Sequence, residues 1–197
     1  MRIVGGIAAG RLLKAPKGFA VRPTLDLVKQ AVFNSLGARV PQTRVLELFA
    51  GTGALSLECL SRGACHAVCV EKNRRHAEIL RANLESVGLP ATALEVRVQD
   101  VVAALSQLAA GGRQFDLVLA DPPYGEKNVG RRSTSFAQRL LDDLELPLLV
   151  APGGLFILGH SKRDTLSVAA PWMELRLLKH GDSLMRFLQK EAGLDPG

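Results

Sequence analysis

Acidic residues are nearly missing from the first 39 positions. That stretch carries Asp26 alone against Arg2, Arg11, Lys14, Lys17, Arg22, Lys29 and Arg39. The other residues balance 18 basic against 18 acidic side chains, so the net charge of +6 sits entirely in this N-terminal part. Cysteine is sparse. Cys59, Cys65 and Cys69 cannot all pair with one another, and their spacing matches no zinc pattern. They read as reduced packing residues, as a reducing compartment would keep them. His66, His76, His160 and His180 form no metal-ligand pattern either, so no metal is expected. No apolar run approaches the ~18–20 residues that a membrane helix needs. The N-terminus also lacks the apolar stretch of a secretory signal. The expectation is a soluble, cytoplasmic protein with no membrane partner.

What is present fits a folded chain. Hydrophobic residues make up 47% of 197 and charged residues 22%, which excludes disorder. The length fits one domain with a small appendage. A basic appendage on a neutral body points to a polyanion partner. Residues 1–39 read as the basic extension, 40–190 as the main domain and 191–197 as a frayed tail.

Residues 2–5 and 11–14 pattern as a small hairpin with a loose turn, mobile until a partner arrives. Thr24 is placed to cap a helix over 25–37, with Leu25, Val28, Val32, Phe33 and Leu36 on one face. Strands and helices then alternate. Strands are expected at 45–49, 67–70, 94–98, 115–120, 154–158, 175–178 and 184–188. Helices are expected at 54–61, 74–87, 101–108 and 134–145. This alternation predicts an α/β fold, a mostly parallel seven-stranded sheet with helices on both faces.

In such a sheet ligands bind at the carboxyl ends of the strands. The first strand is followed by Phe49, Ala50, Gly51, Thr52 and Gly53, where the glycines allow a tight turn and close backbone approach. Glu71 follows the second strand, 20 residues after Gly51, where a carboxylate can take ribose hydroxyls. A plain turn and a solvated acid are the bland readings of these two features. Ser56 replaces the third glycine of a dinucleotide fingerprint, which disfavours a nicotinamide or flavin enzyme. Asp100 follows the third strand, as a helix cap, as an acceptor for an adenine amine, or as both.

Asp121, Pro122, Pro123 and Tyr124 follow the fourth strand and are the most specific signal. The prolines fix φ and remove two N–H donors, leaving carbonyls free to accept. Asp121 adds a side-chain acceptor and Tyr124 a flat ring for stacking. This set suits an amine attached to a planar ring.

On these residues the chain resembles class I methyltransferases that use S-adenosylmethionine. More closely it is similar to the RsmD family, which methylates the N2 amine of a guanine in 16S ribosomal RNA. The resemblance covers about residues 1–190. It rests on Arg2, Ile3, Gly10 and Arg11, on Arg22, Pro23, Thr24 and Asp26, and on residues 31–34. It continues through residues 49–55 and 60–64, Glu71, Asn83, Leu84, Asp100, residues 121–124, Gly181 and Asp182. It implies a Rossmann-like class I methyltransferase fold over 40–190. Phe49, Ala50, Gly51 and Gly53 would line the methionine and ribose of the cofactor, Glu71 its ribose hydroxyls and Asp100 its adenine amine. Arg22 and Thr24 would close over it. Asp121, Pro122 and Tyr124 would position the guanine and carry the chemistry. Arg2, Arg11, Lys14 and Lys17 are the candidate RNA contacts, with Lys127, Arg131 and Arg132 next. The implied partner is 16S ribosomal RNA or small-subunit particles, met by a monomer. A DNA amino-methyltransferase is the nearest alternative, but no target-recognition domain is evident. A non-catalytic RNA-binding module would leave the strand-end residues unexplained.

Overall fold

The computed structural model describes residues 1–16, 26–124 and 131–191. Lys17, Arg22, Thr24, Leu25, Lys127 and most of the tail lie outside them. Seven strands form one sheet in the order β3-β2-β1-β4-β5-β7-β6. The chain divides into two compact units, Met1–Ala104 and Leu105–Gly197.

In the first unit, β1 (Arg44–Leu48), β2 (His66–Val70) and β3 (Leu94–Arg97) pair in parallel, with Leu46 opposite Val68 and Val68 opposite Glu95. Val45, Leu46, Leu48, Val68 and Val70 are fully buried, which is why β1 and β2 are mostly apolar on both faces, with Glu47 the acid inside β1. The outermost strand, β3, is only half-buried along its length. Helix α2 (Ala54–Ser61) is buried at all eight positions. Helix α3 (Arg74–Ser86) starts at Asn73, whose side chain accepts from the N–H groups of Arg75 and His76. It turns Ala77, Leu80, Asn83 and Leu84 inward.

The expected N-terminal hairpin is present, but it is anchored to the rest of its unit, at odds with the expectation that it is mobile. Arg2 and Leu12 form one antiparallel bridge, and Ile3, Ala8 and Leu13 are buried. The segment is stitched to the far end of α2. Val4 N–H donates to Glu58 Oε2 (2.7 Å), Ile7 N–H to the Ser61 carbonyl (2.8 Å) and Ala8 N–H to Ser61 Oγ (2.9 Å). The helix therefore has its last carbonyl satisfied by another part of the chain.

Helix α1 (Asp26–Leu36) buries Val28, Val32, Phe33 and Leu36 as its periodicity predicts, and it also buries Lys29. The Lys29 ammonium is fully enclosed. It donates to the Arg2 carbonyl and lies 3.5 Å from Asp26 Oδ1 and 3.8 Å from Glu58 Oε2. One of the seven cations in the N-terminal stretch is thus an internal strut rather than surface charge. Removing one partner of such a buried pair costs about 3–5 kcal/mol.

In the second unit, β4 (Phe115–Ala120) pairs in parallel with β5 (Val150–Ser161), and β5, β7 (Ser183–Lys190) and β6 (Trp172–His180) run antiparallel. Strand β5 begins earlier than predicted. A bulge lies between the pairs Phe115–Val150 and Leu117–Leu155, so Pro152 and Gly153 distort the strand without ending it. The helix expected at 134–145 is shorter, and a second helix that was not expected follows it. Ser135 caps α5 (Phe136–Leu141), and Asp143 Oδ1 then accepts from Glu145 and Leu146 N–H (2.9 and 2.8 Å) to open α6 (Leu146–Leu149). Pro147 suits the first turn of a new helix, where its missing donor is harmless, but not the interior of a longer one. Helix α4 (Val101–Ala110) extends two residues past its expected end. Among the described residues no helix is long and apolar enough to cross a membrane.

Candidate active site

The loop after β1 is shaped by left-handed backbone. Phe49, Gly51 and Gly53 have φ of 57°, 54° and 77°. For an aromatic residue this costs about 1–2 kcal/mol and needs the surroundings to hold it. At Gly53 a Cβ would lie 2.7 Å from Leu80 Cγ, so only glycine lets the loop seat against α3. Among the described residues, a Cβ at Gly51 would meet nothing nearer than the Phe49 carbonyl at 4.0 Å. Among those residues the loop is therefore tight on its protein side and open beside Gly51.

Glu71 is the hub of this region. It is 8% exposed; Oε2 accepts from Gly51 N–H and Oε1 from Asn73 N–H, both at 2.7 Å. His76 Nδ1 lies 3.7 Å from Oε1. A carboxylate has about four acceptor sites, so two such bonds leave capacity for a diol. Asp100 is half-exposed. Its Oδ1 caps α4 through Val102 N–H (3.0 Å), and its Oδ2 lies 3.2 Å from the exposed Lys72 ammonium. Both readings of Asp100 require an acceptor oxygen, and the Lys72 pair at the surface is weak enough to yield one.

Two residues of this unit escaped sequence reasoning. Glu47 lies within β1 and is 3% exposed. Its oxygens accept from Ser56 N–H (2.9 Å) and Leu55 N–H (3.4 Å) at the start of α2, and Cys69 Sγ lies 3.7 Å away. Burial pushes its carboxyl up to about 7, against the pull of the Ser56 hydroxyl and the two amides. Ser56, where a third glycine is missing, thus has its own role: its N–H holds Glu47 and its hydroxyl accepts from Cys69 Sγ (3.1 Å). Burial first, and the Glu47 charge second, push the Cys69 thiol up, which keeps it inert.

The second residue is Asn83, which the sequence offers only as one letter of a longer motif. Its Oδ1 accepts from Lys14 N–H (2.8 Å), while Nδ2 donates to the Lys14 and Thr52 carbonyls (3.1 Å each). One buried amide thereby joins the N-terminal segment to the glycine loop.

In the second unit, β4 ends into Asp121, Pro122, Pro123 and Tyr124. Pro122 is buried, Pro123 exposed, and Asp121 and Tyr124 are half-buried. The Tyr124 hydroxyl donates to Ser183 Oγ at 2.9 Å. Ser183 opens β7 after the two-residue turn Gly181-Asp182, and sequence reasoning stopped one residue short of it. That turn is tied down in its own right: Asp182 Oδ1 lies 2.7 Å from Lys162 Nζ. His160 is buried on β5. Its Nε2 accepts from Arg186 Nε (3.0 Å) and its Nδ1 faces the Ser161 and Asp164 carbonyls. Burial and then Arg186 hold it below its usual value, so it is a neutral structural residue.

Of the candidate RNA contacts, Arg2, Arg11 and Lys14 are exposed, and Arg2 pairs with Asp26 at 3.5 Å. Arg131 is exposed, and Arg132 pairs with Asp142 at 2.5 Å. Among the described residues no cluster of three or more His, Cys, Asp or Glu side chains forms a metal site. The three cysteines are free, with Cys59 and Cys69 buried and Cys65 exposed.

Parallel pairing among β1, β2 and β3 and between β4 and β5, the sheet order with an antiparallel β7 beside β5, a glycine loop answered by an acid after β2 and an acceptor turn after β4 define a class I methyltransferase fold. Solved structures agree. The Escherichia coli protein yhhF is 32% identical, with a TM-score of 0.76 over 98% of each chain. The Thermus thermophilus 16S rRNA N2 G1207 methyltransferase RsmC, solved with AdoMet and guanosine, is 24% identical with a TM-score of 0.64; it shares the fold over 92% of this chain and 46% of its own. The family described as Conserved hypothetical protein 95 matches residues 1–189, and the chain belongs to it, the RsmD family. Ribosomal RNA small subunit methyltransferase D of Escherichia coli (strain K12) is 38% identical over 124 residues, 63% of this chain and 60% of that relative's length.

Proposed function

We propose that this chain methylates the exocyclic N2 amine of a guanine in 16S ribosomal RNA, using S-adenosylmethionine, in the cytoplasm and within small-subunit particles. The observation that carries the reading is the acceptor turn: Asp121 and two successive prolines after β4, with Tyr124 tethered through its hydroxyl to Ser183. The RsmD membership of the chain and the name of its Escherichia coli relative support the same substrate class.

The cofactor fits the first unit. The open side of Gly51 admits a ligand where a Cβ would stand, and the buried Glu71 carboxylate retains acceptor capacity for two ribose hydroxyls. Phe49, Ala50 and Gly53 line the rest of that cradle, and Asp100 takes the adenine amine; Arg22 and Thr24, which the resemblance assigns to the same cofactor, lie outside the described residues. When bound, the cofactor supplies a methyl group already activated by a sulfonium charge, so no covalent enzyme intermediate is needed.

The chain's own task is then to orient the acceptor. A guanine amine is a poor nucleophile because its lone pair is conjugated with the ring. Hydrogen bonds from that amine to the Asp121 carboxylate and the Pro122 carbonyl turn the lone pair outward and stabilise the charge that develops on nitrogen. Tyr124 holds the ring plane. Catalysis is positioning and electrostatics, and the base must be unpaired or extruded to enter.

Small-subunit particles from a strain lacking this protein, incubated with it and methyl-labelled cofactor, should gain one N2-methylguanine in 16S RNA. Label on DNA, on another base atom, or no label at all would overturn the reading. The basic N-terminal segment supplies charge for RNA phosphates. Replacing Arg2, Arg11, Lys14 and Lys17 with Ala should flatten the salt dependence of RNA binding by about 0.9 for each duplex phosphate that is no longer neutralised. Titrations at several salt concentrations check this; an unchanged slope would move the RNA surface toward Lys127, Arg131 and Arg132.

A further inference from the structure

We propose that Gly159 is a positioning residue for Asp121, its missing side chain forming the seat that aims the carboxylate. This rests on the reading of Asp121 as the acceptor of the base amine.

Gly159 lies inside β5, the strand between β4 and β7, where Leu158 pairs with Ala120 and Gly159 with Met185. Its neighbours Phe156, Ile157, Leu158 and His160 are all buried and large. Glycine in such a place weakens a strand, having no side chain to pack and more freedom to lose, and it marks a close approach by another group. Its φ lies outside the left-handed range, so the backbone itself would accept any residue. Space is the reason. A Cβ at 159 would stand 2.5 Å from Asp121 Oδ1, 3.1 Å from Asp121 Cγ and 3.1 Å from Met185 Sδ. The methionine sulfur belongs to a flexible side chain and can step aside. The aspartate is short, and relieving the clash means turning its carboxylate away from its present direction. That direction decides where a bound amine points its lone pair. The strand thus trades packing at one position for an aimed acceptor on its neighbour.

The experiment compares the parent chain, Gly159→Ala, Asp121→Ala and the double variant. Each is assayed for single-turnover methyl transfer to small-subunit particles, cofactor affinity by calorimetry and thermal stability. Gly159→Ala should lose about 10–100-fold in rate, the scale of a misplacement of about 1 Å, with cofactor affinity within about twofold of the parent. The double variant should be no slower than Asp121→Ala alone, because there is no carboxylate left to displace. It should also melt above Gly159→Ala. Parental turnover in Gly159→Ala, or penalties that multiply in the double variant, would overturn the proposal while leaving Asp121 as the acceptor. Full activity in Asp121→Ala would instead refute the acceptor reading, and this proposal with it. If Gly159→Ala does not fold, recovery of folding in the double variant supports the seat, and failure of both refutes it.

Discussion

The loop after β1 and the turn after β4 solve opposite problems. The first keeps its backbone donors and ties them to acids: Gly51 N–H to Glu71, and the Leu55 and Ser56 amides that open α2 to Glu47. The second strips its donors out with Pro122 and Pro123 and is held from outside, by the Ser183 hydroxyl on Tyr124 and by the absent side chain of Gly159. Buried carboxylates organise one, and shape organises the other. The glycine loop should therefore answer to charge and pH, and the acceptor turn to size and direction.

Glu47 gives the sharpest way to break that contrast. Its folded value, about 7, lies above its ordinary 4.5, so the native state holds an extra proton between those values. The stability this contributes is fully present below about 4.5 and is lost as pH rises through 7, about 3 kcal/mol in all. Glu47→Gln keeps an acceptor for the Ser56 amide but cannot ionise. Urea unfolding at pH 5 and pH 8 should show the variant gaining roughly 2–3 kcal/mol on the parent between the two. Equal pH slopes would mean that Glu47 is not the titrating group.

Asp121→Ala comes next. A loss of at least ~100-fold in turnover is expected, with cofactor affinity nearly unchanged, as for removal of one transition-state partner. Asp121→Asn should be milder, since its amide oxygen still accepts. Glu71→Ala should do the reverse, weakening cofactor binding by roughly 10–150-fold, about 1.5–3 kcal/mol. Because Glu71 also holds Gly51 N–H, amide exchange at Gly51 should quicken in this variant. Calorimetry with unaltered affinity would take Glu71 out of the site. The smallest effect belongs to Ser183→Ala, which frees the Tyr124 hydroxyl at a cost of about 0.5–1.5 kcal/mol. It should appear in kcat/KM and be absent from cofactor affinity; a Tyr124→Phe background should abolish it.

The N-terminal segment makes a second contrast, between charge as counted and charge as placed. Seven cations in 39 residues read as one basic appendage, yet Lys29 is buried between Asp26 and Glu58, and Arg2 is shared with Asp26. Arg11 and Lys14 remain exposed beside them. The backbone that carries them is fastened to Glu58, Ser61 and Asn83 rather than waiting for RNA to order it. Composition counts a lysine the same way wherever it points.

Much of the architecture was readable along the chain because its causes are local. Predominantly apolar runs specify β1, β2 and β4, the first and last each interrupted by one acid, Glu47 and Asp116; the turn at Gly51 and Gly53 opens α2, and two prolines behind Asp121 remove donors wherever they fold. Expected and observed bounds coincide at Ala54–Ser61 and Phe115–Ala120. They part where periodicity alone is silent. β5 starts at Val150 because it pairs with β4 across a register shift, and Asp143 opens α6 by a local cap, accepting from the Glu145 and Leu146 amides. The same holds at the site. Glu71 and Asp121 stand at strand ends, where order along the chain predicts chemistry. Ser183 meets Tyr124 across 59 residues, Asn83 meets Lys14 across 69, and Gly159 matters only because Asp121 arrives beside it. Propensity and periodicity act over a few neighbouring residues, so they write strands, turns and caps into the chain. Which side chain fills, ties or vacates a given space is decided only when remote segments pack together.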